Sequence, residues 1–421
     1  MINEYQYICN DCGKSYASNT IESQRIYLCP DCGSCEKNKP LRGVLTIHYD
    51  YELLKKSFTK EKLLNLAAGK FWLYPELWPL DIDKIDNILL ARVSLNDNQL
   101  LEYKSNNGKI YLFDETRNPT YSYKDRASAV VAFKAKELGI SEIAAASTGN
   151  AGSSLAGICA RLGIKSHIFV PKNIPEAKRI QIQAYGANIY LVDGDYDNAF
   201  DLSLEVCNNN NWYNRNTAYN PLTIEGKKSA AYDIFIQTKG NLPDKIFVPV
   251  GDGVIISGLF KGFKELSELN VSDKIPELIA VQSEGSSAVI DYLQTGEFDY
   301  KPAITVADSI SAGAPRNLYM AADVVKESEG TGIKVSDEEI TNAQSELAKQ
   351  FGILSEPSSA AVFAGYKKCE ERISISERVM LIVTGSGLKD SASLKLWNNE
   401  PPVKSPEEWI DILTEKKNRE S

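Results

Sequence analysis

Residues 118–128 read Asn118-Pro119-Thr120-Tyr121-Ser122-Tyr123-Lys124-Asp125-Arg126-Ala127-Ser128. Asn118-Pro119 marks a turn, and a helical stretch then runs to about Leu138, so one lysine stands where loop becomes helix. One reading makes Lys124 and Arg126 solvated charges on the first turn of an amphipathic helix. The other makes Lys124 a reactive amine, with backbone and hydroxyl groups packed round its ammonium, as in lysines that bond covalently to carbonyl compounds.

Around this run, apolar strand-like segments alternate with helical ones from about residue 110 onward. Strands are predicted at Ile143–Ala146, His167–Val170, Ile189–Val192, Lys245–Val250, Leu278–Gln282 and Val379–Val383, with helices such as Ala151–Leu162, Pro175–Tyr185 and Glu225–Thr238 between them. Such alternation predicts an α/β fold with parallel sheets, whose ligands bind beyond the carboxyl ends of the strands. Residues 50–90 mix short helices with the aromatic stretch Phe71-Trp72-Leu73-Tyr74 and Trp78, which reads as an arm packed on the body.

Three loops fall at predicted strand ends. Ser147-Thr148-Gly149-Asn150-Ala151-Gly152 opens a helix, so it is either a simple cap by Ser147 or Thr148 or an anion site at a positive helix end. Gly251-Asp252-Gly253-Val254-Ile255 is either a tight turn or a backbone cradle for a phosphate; Asp252 would repel a phosphate that its carboxylate faced. Thr384-Gly385-Ser386-Gly387-Leu388-Lys389-Asp390 follows the last predicted strand.

Five of the eight cysteines fall in the first 35 residues, as Cys9-Asn-Asp-Cys12-Gly13 and Cys29-Pro-Asp-Cys32-Gly33, with Cys35 just beyond. C-x2-C-x16-C-x2-C is zinc-ribbon spacing, with the glycines permitting the knuckle turns. Redox-active pairs or disulfides are the alternatives, and Cys35 can stand in for Cys32 as fourth ligand. Cys159, Cys207 and Cys369 lie in apolar helical stretches and read as buried thiols.

A chain of 421 residues exceeds one core, and 43% hydrophobic with 24% charged residues is an ordinary globular composition. The net charge of −9 argues against nucleic-acid binding. With no long apolar run and no signal-like N-terminus, the reading is a cytoplasmic protein with no membrane partner. Only His48 and His167 are present, which leaves proton transfer to Lys, Asp, Glu or a cofactor.

The run at Lys124 resembles the lysine motif of threonine synthases, Asn-Pro-Thr-x-Ser-Phe-Lys-Asp-Arg-Gly, and the likeness extends through most of the chain. These are tryptophan-synthase-β-like (fold type II) pyridoxal-phosphate enzymes, many with an N-terminal ribbon. The resemblance implies that Lys124 carries pyridoxal 5'-phosphate and moves the substrate's protons. It gives Asn150 the cofactor's phenolic oxygen, Gly251, Asp252, Gly253, Val254 and Ile255 its phosphate, and Thr384 its pyridine nitrogen. Ser147, Thr148 and Asn150 would then hold the amino-acid substrate's carboxylate, Glu356 would line the site, and Cys9, Cys12, Cys29 and Cys32 would bind Zn(II).

The implied division is 1–40 ribbon, 41–144 arm and first part of the large domain, 145–235 small α/β domain, and 236–421 the rest, with a homodimer as a possible assembly. The implied reaction turns O-phospho-L-homoserine and water into L-threonine and phosphate. Three positions depart from the family's substrate-phosphate contacts: Ala151, Thr223 where the family has arginine, and Ile255 where it has asparagine. Lys227, Lys228 and Arg126 lie nearby and can restore charge. The family's Gly-x-Thr-Pro-Leu segment is replaced by Ser94–Tyr103. Elimination or replacement on a non-phosphorylated amino acid is the alternative enzyme; a non-catalytic scaffold is the alternative class.

Overall fold

The apolar segments that alternate with helices assemble, in a computed structural model describing residues 5–97, 99–105, 108–147, 149–194, 196–398 and 400–420, into two parallel-rich sheets. A third, small sheet precedes them. It is antiparallel, of order β2-β1-β3, formed by β1 (Tyr5–Cys9), β2 (Ser15–Ala17) and β3 (Leu45–Tyr49).

The larger sheet has β4 (Leu100–Ser105) and β5 (Gly108–Asp114) as an antiparallel pair at one edge. The smaller sheet is four-stranded and parallel, of order β8-β7-β6-β9, from β6 (Glu142–Ala146), β7 (Lys165–Pro171), β8 (Asn188–Val192) and β9 (Tyr213–Asn214). Four further strands complete the larger sheet: β10 (Lys245–Pro249), β11 (Glu277–Ser283), β12 (Gly332–Val335) and β13 (Val379–Val383), in the order β12-β11-β10-β13-β5-β4. Central strands such as β13, Val-Met-Leu-Ile-Val and buried throughout, read as unbroken apolar runs because helices cover both faces.

All six predicted strands are present, within two residues at each end. The helix predicted over Glu225–Thr238 is instead two, Leu222–Lys227 and Ser229–Gln237, meeting at Lys228, whose N–H is shared between the carbonyls of Ile224 and Glu225. It starts early because Asn220 Oδ1 accepts from the Leu222 N–H at 2.9 Å. The aromatic arm is packed as expected: Phe71, Tyr74 and Trp78 are buried, and the Tyr74 and Tyr232 rings lie 5.0 Å apart. Among the described residues no helix is long and apolar enough to cross a membrane.

Candidate active site

The chain leaves β5, turns through Glu115–Tyr123 and enters the helix Lys124–Glu137. Backbone hydrogen bonds sew this turn to the loop after β13: Tyr123 N–H donates to Thr384 O at 2.8 Å and Ser386 N–H to Tyr121 O at 3.1 Å. Asp125 accepts from the Thr120 N–H at 2.7 Å. Lys389 reaches across to donate to Thr120 O and Ser153 Oγ, both at 2.8 Å.

Neither Lys124 nor Arg126 is a solvated surface charge. Arg126 is buried, with Nε and Nη2 on Glu115 at 2.8 and 2.6 Å and Nη1 on Asp233 at 2.7 Å. It serves the core, not the site. Lys124 opens on a cavity of about 330 Å³. It shares the cavity wall with the hydroxyl residues Ser147, Thr217 and Thr384, and among the described residues its Nζ has no hydrogen-bond partner. Burial holds this amine down to about 8, with the Glu356 carboxylate partly opposing.

The cavity gathers the three loops at the carboxyl ends of β6, β10 and β13. Its walls include Lys124, Ser147, Asn150, Gly251, Asp252, Gly253, Val254, Ile255 and Thr384; Thr148 lies outside the described residues. Ser147 is on the wall, and its Oγ accepts from the Gly149 N–H at 3.1 Å; this closes a local turn and is not the expected helix cap, because the helix Asn150–Leu162 starts from Gly149 with no side-chain cap. Asn150 Nδ2 donates to Glu356 at 2.7 Å and to Ser309 Oγ at 3.1 Å, while its Oδ1 is buried without a partner among the described residues. The Thr384 and Ser359 hydroxyls lie 3.1 Å apart.

The glycine loop is shaped for close approach. A Cβ on Gly251 would lie 2.9 Å from Ile310 Cα, and Gly253 has φ +83° and would meet Ala321 Cβ at 2.5 Å. It delivers the chain into the helix Val254–Glu268, whose first-turn N–H groups lack intrahelical acceptors. The Asp252 carboxylate accepts from the Arg316 N–H at 3.0 Å. The Arg316 carbonyl in turn accepts from Leu41 at 3.2 Å, tying this loop to the segment that follows the cysteine quartet.

That quartet is a real cluster. The sulfurs of Cys9, Cys12, Cys29 and Cys32 lie within 4.8 Å of one another, with Cys9–Cys32 at 3.4 Å and Cys12–Cys29 at 3.7 Å. Disulfides need about 2.05 Å, whereas four thiolates about 2.3 Å from one tetrahedral zinc stand about 3.8 Å apart. Cys35 is outside the cluster, packed against apolar residues instead. Gly13 has φ +72°, and a Cβ on Gly33 would lie 2.5 Å from Cys29 O, which explains both knuckle glycines.

Of the three cations near the departing positions, only Lys227 lines the cavity. Lys228 is buried in ion pairs with Glu225 and Glu265. Ala151 and Ile255 are on the wall, but Thr223 is fully buried, accepting from the Ala218 N–H at 3.1 Å and donating to Asn220 O at 2.7 Å. Tyr196, Thr217, Asp308 and Ser309 also line the cavity, and no motif marks them in the sequence.

A lysine amine facing a glycine cradle at a helix start, between parallel sheets, is the layout of a pyridoxal-phosphate enzyme. A family model described as "Pyridoxal-phosphate dependent enzyme" matches residues 96–385. The fold is similar to that of maize serine racemase, with a TM-score of 0.62 at 20% identity, covering 79% of this chain and 97% of that one. The threonine synthase of Methanocaldococcus jannaschii is 36% identical over 404 residues, 94% of this chain and 95% of the relative. That of Methanosarcina acetivorans is 33% identical over 409 residues, 95% and 96% of the two chains. The chain belongs to the threonine synthase family of fold type II pyridoxal-phosphate enzymes, which are carbon–oxygen lyases.

Proposed function

We propose that the enzyme converts O-phospho-L-homoserine and water into L-threonine and phosphate. The observation that carries this is one cavity holding a half-buried lysine amine, without a hydrogen-bond partner among the described residues, beside a helix-start glycine cradle. Full-length relatives named threonine synthase support the choice of substrate. The cavity suits the cofactor: Lys124 has a free amine, the cradle has no room for a Cβ at Gly251 or Gly253, and Asn150 Oδ1 is a buried atom still without a partner.

When bound, pyridoxal phosphate supplies an electron sink for a carbanion at the substrate's α carbon. Lys124 would hold it, Asn150 would face its phenolic oxygen, Gly251–Ile255 its phosphate, and Thr384 its ring nitrogen. A neutral threonine hydroxyl leaves that nitrogen without a carboxylate's help, which favours elimination over transamination. Ser147 and Thr148, at the start of the helix Asn150–Leu162, would hold the substrate carboxylate. The Lys124 amine, basic enough at about 8 to be partly unprotonated near neutrality, takes the α proton and serves the β carbon. Phosphate leaves from the γ carbon, which then gains a proton to become the methyl group; water adds at the β carbon and a proton returns to the α carbon.

Zinc held by Cys9, Cys12, Cys29 and Cys32, the four-part division of the chain, a cytoplasmic location and a homodimer belong to the same proposal. The test is formation of threonine and phosphate from O-phosphohomoserine, with Lys124→Ala folded, inactive and without a borohydride-reducible cofactor bond. No product from that substrate, alongside turnover of an unphosphorylated serine or homoserine derivative, overturns the reading.

A further inference from the structure

The cations around the cavity are unequally partnered. Lys178 is paired with Asp308 at 2.6 Å, and Arg316 with Asp197. Lys389 is spent on Thr120 O and Ser153 Oγ. With Lys124 committed to the cofactor, Arg215 and Lys227 remain. Lys227 is 1% exposed, lines the cavity, and among the described residues its Nζ has no hydrogen-bond or ion-pair partner. It packs beside the second turn of the helix Val254–Glu268, where a Cβ on Gly258 would stand 2.6 Å from Lys227 Cβ. The glycine makes room for the lysine.

Arg215 is fully buried, and its partners are the hydroxyls of Ser128 at 3.4 Å and Thr217 at 3.2 Å, not a carboxylate; Nη2 has none among the described residues. Burial, Lys124 and Arg215 push the Lys227 amine well below the usual lysine range, with the Asp252 carboxylate opposing, so an anion entering beside it would restore its charge. Thr217 lines the cavity. Because Arg215 donates to its hydroxyl oxygen, the threonine's own proton is left to donate onward.

We propose that Lys227 and Thr217, with Arg215 behind Thr217, form a phosphoryl-binding subsite on the cavity wall. A cavity-lining lysine amine with no bonded partner, an arginine bonded only to hydroxyls and an oriented hydroxyl suit a phosphoryl group better than a carboxylate. The inference rests on the reading that this cavity handles phosphorylated molecules, and the phosphoryl group belongs either to the substrate or to the cofactor.

Holoenzymes of wild type, Lys227→Met, Lys227→Arg and Thr217→Val are titrated calorimetrically with inorganic phosphate. The wild type binds it; Lys227→Met and Thr217→Val weaken it about tenfold or more, and Lys227→Arg restores most of the affinity. In a second arm, apoenzymes are compared for pyridoxal phosphate against pyridoxal. A loss of that preference of about tenfold in Lys227→Met, with holoenzyme phosphate binding unchanged, upholds the subsite and assigns it to the cofactor. No change in either arm overturns it. Lys227-dependent phosphate binding without turnover of O-phosphohomoserine would sink the reaction reading alone; turnover with unchanged KM and affinities in Lys227→Met would sink the subsite alone.

Discussion

Replacing Arg126 by methionine tests whether the motif around Lys124 is held from beneath. The guanidinium donates to two buried carboxylates, Glu115 and Asp233, at 2.6–2.8 Å, and to Ser229 Oγ at 2.8 Å. Removing one partner of a buried ion pair costs about 3–5 kcal/mol. Unfolding entropy of about 2.1 cal/mol/K per residue over 421 residues gives about 0.9 kcal/mol/K, so the loss corresponds to roughly 3–6 °C in a thermal melt. Burial already raises Asp233, even though Arg126 opposes it, and removing the guanidinium raises it further. An acid whose folded pKa exceeds its unfolded value stabilises below the unfolded pKa and loses that stabilisation as pH rises through the folded pKa. The deficit of Arg126→Met should therefore be larger at about pH 8 than at about pH 5, and adding Glu115→Gln with Asp233→Asn should recover most of it. A deficit below about 1 kcal/mol, or one equal at both pH values, would refute the reasoning.

Purified protein should carry about one equivalent of zinc, reduced by Cys12→Ser, and less than about half an equivalent in wild type would sink the ribbon assignment. Gly253→Ala, which forces a side chain into φ +83° and against Ala321, should weaken cofactor affinity about tenfold; unchanged affinity would show that the loop does not cradle the phosphate. Glu356→Gln removes the charge that supports the Lys124 ammonium, so the pH midpoint for reaction of the apoenzyme with pyridoxal phosphate should move below about 8. A midpoint that rises would contradict the electrostatic account.

The central strands were legible because burial on both faces writes them as continuous apolar runs, as in β13 and β10. β4 and β5 were not, since this edge hairpin mixes Glu102, Lys104 and Lys109 into its pattern, and β9 has two residues. Placement of the motif loops round one cavity followed from their positions at strand ends, whereas Tyr196, Thr217, Asp308 and Ser309 arrive by tertiary packing that leaves no local periodicity. Charge was the least legible property. Arg126, Lys227 and Lys228 look alike in the sequence, yet two are neutralised by buried carboxylates and one faces the cavity.

Main-chain bonds tie the loop after β13 both to the lysine turn, Tyr123 to Thr384 and Ser386 to Tyr121, and to the segment at Glu356, which bonds Gly385. Peptide groups are the same whatever side chains they bear, so the spacing of the reacting groups is insulated from most substitutions along these segments. Drift at wall positions such as Ala151, Thr217 and Ile255 can then retune which molecule is accepted without loosening the frame. A lineage can change diet while keeping its chemistry.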